Sequence, residues 1–353
     1  MSIFLRYFTK TPVTQNLTKK SIIQDLTTAA TSTSTSSTFK MTSAFSFKTS
    51  PKTPLYFFSH GGPTFGDRED DFGGDAGAYD KVHEIGTLIK NKVKPDFIIV
   101  ISAHWQSNGA NTVEVAIPDT SNSFRAKSEK LTPDENDLIY DFYGFPSHMY
   151  KQQFHTVGSE PLANDIVKTL TENGFKSSTV KRGIDHGVWV PFRVAFTDAR
   201  IQDTGKPAID VPLIQVSLTG SNLIEPAVRL GKALSSYRQK NGVIICSGMS
   251  VHNLRDIGRA MGNGNRPLPY TPAFNKLLTK ILTSSNDSSV VAEELENLEK
   301  LSDLRKLYIS AHPTPEHFLP VAVGVGASNN DTCKELYSKG KGSLGWNVYE
   351  WSS

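Results

Sequence analysis

Cysteine is scarce. Only Cys246 and Cys333 occur in 353 residues, which excludes a disulfide-stapled secreted fold and any cysteine-based zinc finger. Long apolar runs are missing too: none reaches the roughly 18 residues that a membrane-spanning helix needs. The body also lacks a basic excess. The chain carries +3 overall, but residues 1–50 hold six Lys/Arg against Asp25 alone, while the other 303 residues hold 32 Lys/Arg against 34 Asp/Glu. A body with a net charge of −2 speaks against nucleic acid as a partner. With 38% hydrophobic and 21% charged residues the chain can bury a substantial core.

The first fifty residues are unlike the rest. They contain 21 Ser/Thr, including the unbroken run Thr31–Thr38, and a single acid. Basic residues Arg6, Lys10, Lys19 and Lys20 are interspersed with apolar ones. A basic, Ser-rich, acid-poor start matches a mitochondrial transit peptide. The same composition suits a disordered extension that buries too little to fold. A start at Met41 would instead leave a short leader and a cytoplasmic product. Residues 1–50 are expected to be dispensable for folding, and residues 51–353 to form the folded domain.

In the body, short apolar runs alternate with amphipathic stretches. The pattern predicts strands at Leu55–Ser59, Asp96–Ala103, Val113–Ile117, Val211–Leu218 and Gly242–Ser247. It predicts helices at Tyr79–Lys92, Pro161–Asn173, Asn222–Lys240 and Thr271–Thr283. Alternation of this kind implies a single α/β domain, with a mostly parallel or mixed central sheet covered by helices on both faces. No internal repeat or linker splits it.

The placement of the nine histidines carries the functional signal. His60 follows the first strand, His104 the second, and His252 lies a few residues past a later one. His186 sits in Gly-Ile-Asp-His-Gly-Val-Trp, opening an apolar helical stretch. Ligands of open α/β sheets bind beyond the carboxyl ends of the strands, so histidines gathered at that edge suit a metal such as iron or zinc. Glycine neighbours Gly61, Gly62, Gly187 and Gly248 allow tight turns and close approach. No Asp or Glu stands in an obvious ligand position after a strand. Three histidine ligands and one free for proton transfer is the simplest arrangement.

Six segments in order resemble the class III extradiol ring-cleavage dioxygenases, in the branch of DOPA 4,5-dioxygenases. They are Ser59-His60-Gly61-Gly62-Pro63, Ser102-Ala103-His104-Trp105, Asp141-Phe142-Tyr143-Gly144-Phe145-Pro146, Asp185-His186-Gly187-Val188-Trp189, Val251-His252-Asn253-Leu254 and Pro315-Glu316-His317-Phe318-Leu319-Pro320. The resemblance covers roughly residues 54–350 and implies a metal held by His60, His104 and His252. It implies His186 as the acid–base residue, which some members use as a fourth ligand, and His317 near the substrate. Many relatives carry Ser at the position of Gly62.

Such a centre would hold iron(II) as working metal, with zinc(II) able to occupy the same site, and would open a catechol such as DOPA with dioxygen. Asp185 is expected either to orient His186 or to cap its helix. Tyr143 and Trp105 are further candidates for substrate contact. The competing readings are a zinc-dependent hydrolase and a non-catalytic metal-binding or redox-regulatory protein on the same fold.

Overall fold

The computed structural model describes residues 44–70, 73–119, 132, 134–197 and 205–353. The expectations of a transit peptide, a disordered extension and an alternative start at Met41 fall outside these residues. In chain order the elements are β1 (Leu55–Ser59), α1 (Ala76–Leu88), β2 (Phe97–Gln106), β3 (Thr112–Ile117), α2 (Glu160–Glu172), β4 (Lys176–Lys181), α3 (His186–Phe196), β5 (Leu213–Leu218), α4 (Ile224–Leu234), β6 (Gly242–Gly248), β7 (Val251–His252), α5 (Ile257–Gly262), α6 (Tyr270–Leu282), α7 (Ser288–Lys300), α8 (Ser302–Ala311), α9 (Leu319–Ser328), β8 (Thr332–Tyr337), β9 (Gly340–Lys341), β10 (Leu344–Gly345) and β11 (Val348–Ser352).

Eight strands make one mixed sheet in the order β4-β3-β5-β2-β6-β1-β11-β8. Strands β5, β2, β6 and β1 run parallel. β3 meets β5 antiparallel, and β11 is antiparallel to both β1 and β8. Because side chains alternate along a strand, each central strand feeds two cores. Tyr56, Phe58, Ile98, Val100, Val243 and Ile245 pack with Val82 and Ile85 of α1 and with α3. Leu55, Phe57, Ile99, Ile101, Ile244 and Cys246 pack with α4 and α9. Both faces are therefore covered, as the continuous apolar runs required. The register pairs Ser59 with Gly248 and Ser102 with Ser247, so the carboxyl ends of β1, β6 and β2 lie side by side on one edge.

Phe45 and Phe47 already pack on Phe97 and Tyr237, and the backbone N–H of Ser50 donates to the carbonyl of Gln239. Residues 45–353 group as one compact unit, so residues 45–50 belong with the folded body rather than with the extension. A chain starting at Ala44 is expected to unfold in urea at the same midpoint as the full chain. One starting at Pro51 loses the packing of two half-buried rings, an expected cost of about 2 kcal/mol.

A second tie holds the segment before β1 against the chain's end. The fully buried Arg238 donates to the carbonyls of Thr53, Ala327 and Ser328 and to the carboxylate of Asp331. Removing one partner strands a buried charge. Asp331→Ala is expected to cost about 3–5 kcal/mol in a urea titration.

Candidate metal and active centre

His60 leaves the end of β1 through Gly61, whose φ of +68° suits glycine and whose missing Cβ would fall 2.6 Å from the Gly73 carbonyl and the Trp346 ring. His104 sits near the end of β2. His186 is the first residue of α3, which approaches β2 closely because a Cβ on Gly187 would stand 2.5 Å from Ser102 Oγ and 2.7 Å from His104 Cδ2. The His104 and His186 rings come to rest with centroids 4.0 Å apart. His317 arrives from the turn before α9, and His252 from β7.

Three Nε2 atoms converge. His104 Nε2 lies 3.2 Å from His60 Nε2 and 3.3 Å from His317 Nε2. Nitrogens bound to one ion at about 2.0–2.1 Å in tetrahedral geometry stand about 3.3 Å apart, so these separations fit a shared metal. The far side of each ring is also held. His60 Nδ1 meets Ser247 Oγ at 3.0 Å, His104 Nδ1 meets Asp141 Oδ2 at 3.4 Å, and His317 Nδ1 meets Glu316 Oε1 at 3.1 Å. An outer partner on one nitrogen, with the other turned inward, is how ligating histidines are oriented.

The grouping differs from the expected trio in one respect. His60, His104 and His317 lie within ligand distance of one another, whereas His252 falls in a neighbouring set with Glu316 and His317. The His252 ring stacks on that of His317 at 3.6 Å with an interplanar angle of 13°. A third set joins His104, Asp141 and His186.

Asp141 is the residue that the sequence reading missed. Its Oδ1 accepts both the backbone N–H of His186 at 2.9 Å and the Nδ1 side of its ring at 2.8 Å. The signal available was its place at the head of the Asp-Phe-Tyr-Gly-Phe-Pro segment, in a loop rather than after a strand. Burial would raise the Asp141 pKa, but the adjoining His186, helped by His104, holds the carboxyl well below its usual range. Asp185 does not orient the His186 ring, but it does stand at the N-cap position of α3, where its carbonyl accepts the N–H groups of Val188 and Trp189. Its side chain makes no capping bond and is occupied by Ser102, Arg182 and Gln215. Burial and the nearby Asp141 push its pKa up.

The remaining candidates separate. Trp105 is buried under the guanidinium of Arg182, 4.6 Å from the ring centroid. Tyr143 is 78% exposed. Among the described residues neither makes a ring contact with a histidine, although Phe142 packs edge-on to His186. His155 pairs with Glu135, and His83 with the Val194 carbonyl.

Burial, reinforced by their mutual repulsion when charged, holds His60, His104 and His252 well below the ordinary histidine pKa. Burial likewise brings His317 down to about 3 and His312 to about 4. Neutral rings have the lone pairs that a metal requires. These rings stay unprotonated in the folded chain while their unfolded counterparts titrate near pH 6.5. Stability is therefore fully present above about pH 6.5 and falls as pH drops toward 4, by up to about 1.4 kcal/mol per pH unit per ring. His312 stands outside the converging set, with Nε2 on the Ser250 carbonyl. His312→Gln is expected to flatten the pH dependence of urea unfolding in the metal-free protein.

Among the described residues no helix is long and apolar enough to cross a membrane. Comparison with known proteins agrees with the histidine edge. Residues 54–348 match the family described as the catalytic LigB subunit of aromatic ring-opening dioxygenase. A Schizosaccharomyces pombe protein named 4,5-DOPA dioxygenase extradiol-like is 33% identical over 71% of this chain and 74% of its own. The 4,5-DOPA dioxygenase extradiol of Beta vulgaris is 32% identical over 74% of this chain and 84% of its own. The crystal structure of an uncharacterized Escherichia coli K12 protein shares the fold, with a TM-score of 0.59 at 23% identity, over 85% of this chain and 99% of the other. A histidine-rich edge on a mixed α/β sheet, carried by a sequence matched almost from β1 to its last strand, places this chain in the LigB family of aromatic ring-opening dioxygenases.

Proposed function

We propose that this ring-opening dioxygenase cleaves a catechol of the DOPA type in the extradiol manner, with iron(II) as its working metal. The convergence of three inward-facing Nε2 atoms, each ring braced from behind, is the observation that carries the reading. The names of the similar proteins support the substrate class. Imidazole donors suit iron and also zinc, so zinc can occupy the same nitrogens.

His60 and His104 are the fixed ligands of this proposal, and the third nitrogen comes from the stacked pair His252 and His317. The resemblance assigns it to His252, leaving His317 beside the substrate. The nitrogen spacing favours the second reading, with His317 at the third vertex and His252 behind it.

Bound iron(II) would supply coordination positions for both catechol oxygens and for dioxygen, and a route for electrons between them. His186 handles protons. Its Nδ1 is engaged by Asp141, which leaves Nε2 as the atom that takes a proton from a catechol hydroxyl and returns it later. The Asp141 carboxylate fixes the tautomer and stabilises the imidazolium formed in between. Phe142 packs edge-on against the His186 ring. A braced histidine of this kind beside a metal set supports catalysis over plain metal binding.

The test is direct. Protein loaded anaerobically with iron(II), and in parallel with zinc(II), is given a catechol and then air. Iron-dependent oxygen uptake with a yellow ring-opened product is the expected result. Hydrolase activity of the zinc form without oxygen uptake by the iron form would overturn the proposal.

A further inference from the structure

The Asp185 carboxylate is fully buried among Ser102, Arg182 and Gln215, and neither orienting His186 nor a side-chain cap on α3 accounts for it. Its Oδ1 accepts the hydroxyl of Ser102 at 2.7 Å. That same hydroxyl oxygen accepts the backbone N–H of His104 at 3.1 Å. Its Oδ2 accepts Arg182 at 3.2 Å, and the same Arg182 nitrogen reaches the carbonyl of His104 at 3.5 Å. Asp185 thus touches both ends of the His104 residue through one intermediary each. Gln215 of β5 anchors it from below, with its side-chain amide on Oδ2 and its oxygen facing the Asp185 N–H. The carbonyl of Asp185 also accepts the N–H groups of Val188 and Trp189, so the residue that grips His104 also starts the helix that begins at His186.

We infer that Asp185 is a positioning residue, which through Ser102 and Arg182 fixes the backbone of His104 and so sets the His104 ring against His60 and His186. The inference rests on the functional reading above. It adds an outer brace that acts on backbone rather than on the ring, distinct from Asp141, which acts on the rings. The close approach at Gly187 leaves room for Ser102 and little else, so the bridge is short and has few alternative arrangements. Outer partners of this kind typically hold about 10–100-fold of metal affinity or rate.

The experiment uses the full chain loaded with zinc(II), and separately with iron(II), in four forms: wild type, Asp185→Asn, Ser102→Ala and Leu170→Ala. Leu170 is a buried residue of α2 outside the network, and its variant supplies a purely structural loss of stability. Two readouts are taken: the rate of zinc release to a coloured chelator, and kcat and KM for oxygen uptake with a catechol. Asp185→Asn and Ser102→Ala are expected to release zinc about 10–100-fold faster and to lose a similar factor in kcat, with KM little changed. Leu170→Ala should melt earlier yet match wild type in both readouts. If all three variants lose metal and rate in proportion to their loss of stability, Asp185 is a structural residue only and the inference falls. It falls equally if Asp185→Asn and Ser102→Ala behave as wild type. Should Asp185→Asn fail to fold, Ser102→Ala decides. Should wild type show no oxygen uptake with any catechol, the functional reading fails while zinc release still judges the brace.

Discussion

Alanine at His60 or His104 is expected to strip the metal and abolish oxygen uptake, while removal of one ring of the stacked pair, and only one, does the same. In the proposed set each fixed ligand would supply one of three bonds to the ion, so its loss should weaken binding beyond the roughly 10–100-fold that an outer partner contributes. The site offers little compensation. His104 Nε2 is the hub, 3.2 Å from His60 and 3.3 Å from His317, and without it no described nitrogen bridges the other two. His252 and His317 stack at 3.6 Å, so in the proposed set one ring of the pair would bind the ion and the other would back it. If His252→Ala purifies metal-free and His317→Ala retains metal but binds catechol poorly, the assignment implied by family resemblance stands. The reverse pattern assigns the third vertex to His317. Loss of metal in neither variant would move the third ligand to the Asp141–His186 side and overturn the proposed set. Metal analysis of the four purified variants, with circular dichroism to show that each is folded, makes the measurement.

How far the sequence reaches depends on whether local pattern and final environment agree. Strands β1, β2, β5 and β6 were legible because central strands of a covered sheet are buried on both faces, and runs such as Phe97–Ile101 state that outright, while in β3 buried residues alternate with half-exposed ones. Helices α1, α2, α4 and α6 were legible because each presents one apolar face. α9 was not. Its sequence Leu-Pro-Val-Ala-Val-Gly-Val-Gly-Ala-Ser is buried all round, so it has no period, and its β-branched residues and glycines argue locally against a helix. What makes it a helix is tertiary: missing Cβ atoms at Gly231 and Gly326 let α4 and α9 cross with backbones nearly touching. The site divides in the same way. His60 and His104 were legible because chain direction alone delivers the carboxyl ends of β1 and β2, the parallel strands on either side of β6, to one edge. Asp141 was not, since a loop rather than a strand end carries it there and its one signal was its place at the head of the Asp-Phe-Tyr-Gly-Phe-Pro segment. The choice between His252 and His317 turns on a stacking contact made by residues 65 positions apart.

His186→Ala is expected to keep its metal and lose about 10²–10⁴-fold in kcat, the usual worth of one general acid–base group. Ligands set affinity, whereas a proton-transfer residue sets the barrier, so the two kinds of histidine separate by phenotype. His186 has the geometry of the second kind. Its Nδ1 and its backbone N–H both meet Asp141 Oδ1, at 2.8 and 2.9 Å, a two-point grip that fixes the ring while the other nitrogen remains for the substrate. Asp141 should then behave as its partner. Asp141→Asn keeps the shape and removes the charge that stabilises the imidazolium, so kcat should fall about 10–100-fold with KM little changed. Because its carboxyl is held well below the usual range, Asp141 is ionised throughout the working pH range and adds no limb of its own to the pH profile. The double variant His186→Ala/Asp141→Asn should be scarcely slower than His186→Ala alone, since an orienting group is worth nothing once the group it orients is gone. Additive losses would mean that Asp141 acts chiefly through His104 instead, whose Nδ1 it also approaches at 3.4 Å. A metal-free His186→Ala would be the more serious result. It would make His186 a fourth ligand, and the proton would have to be moved by another group at this edge.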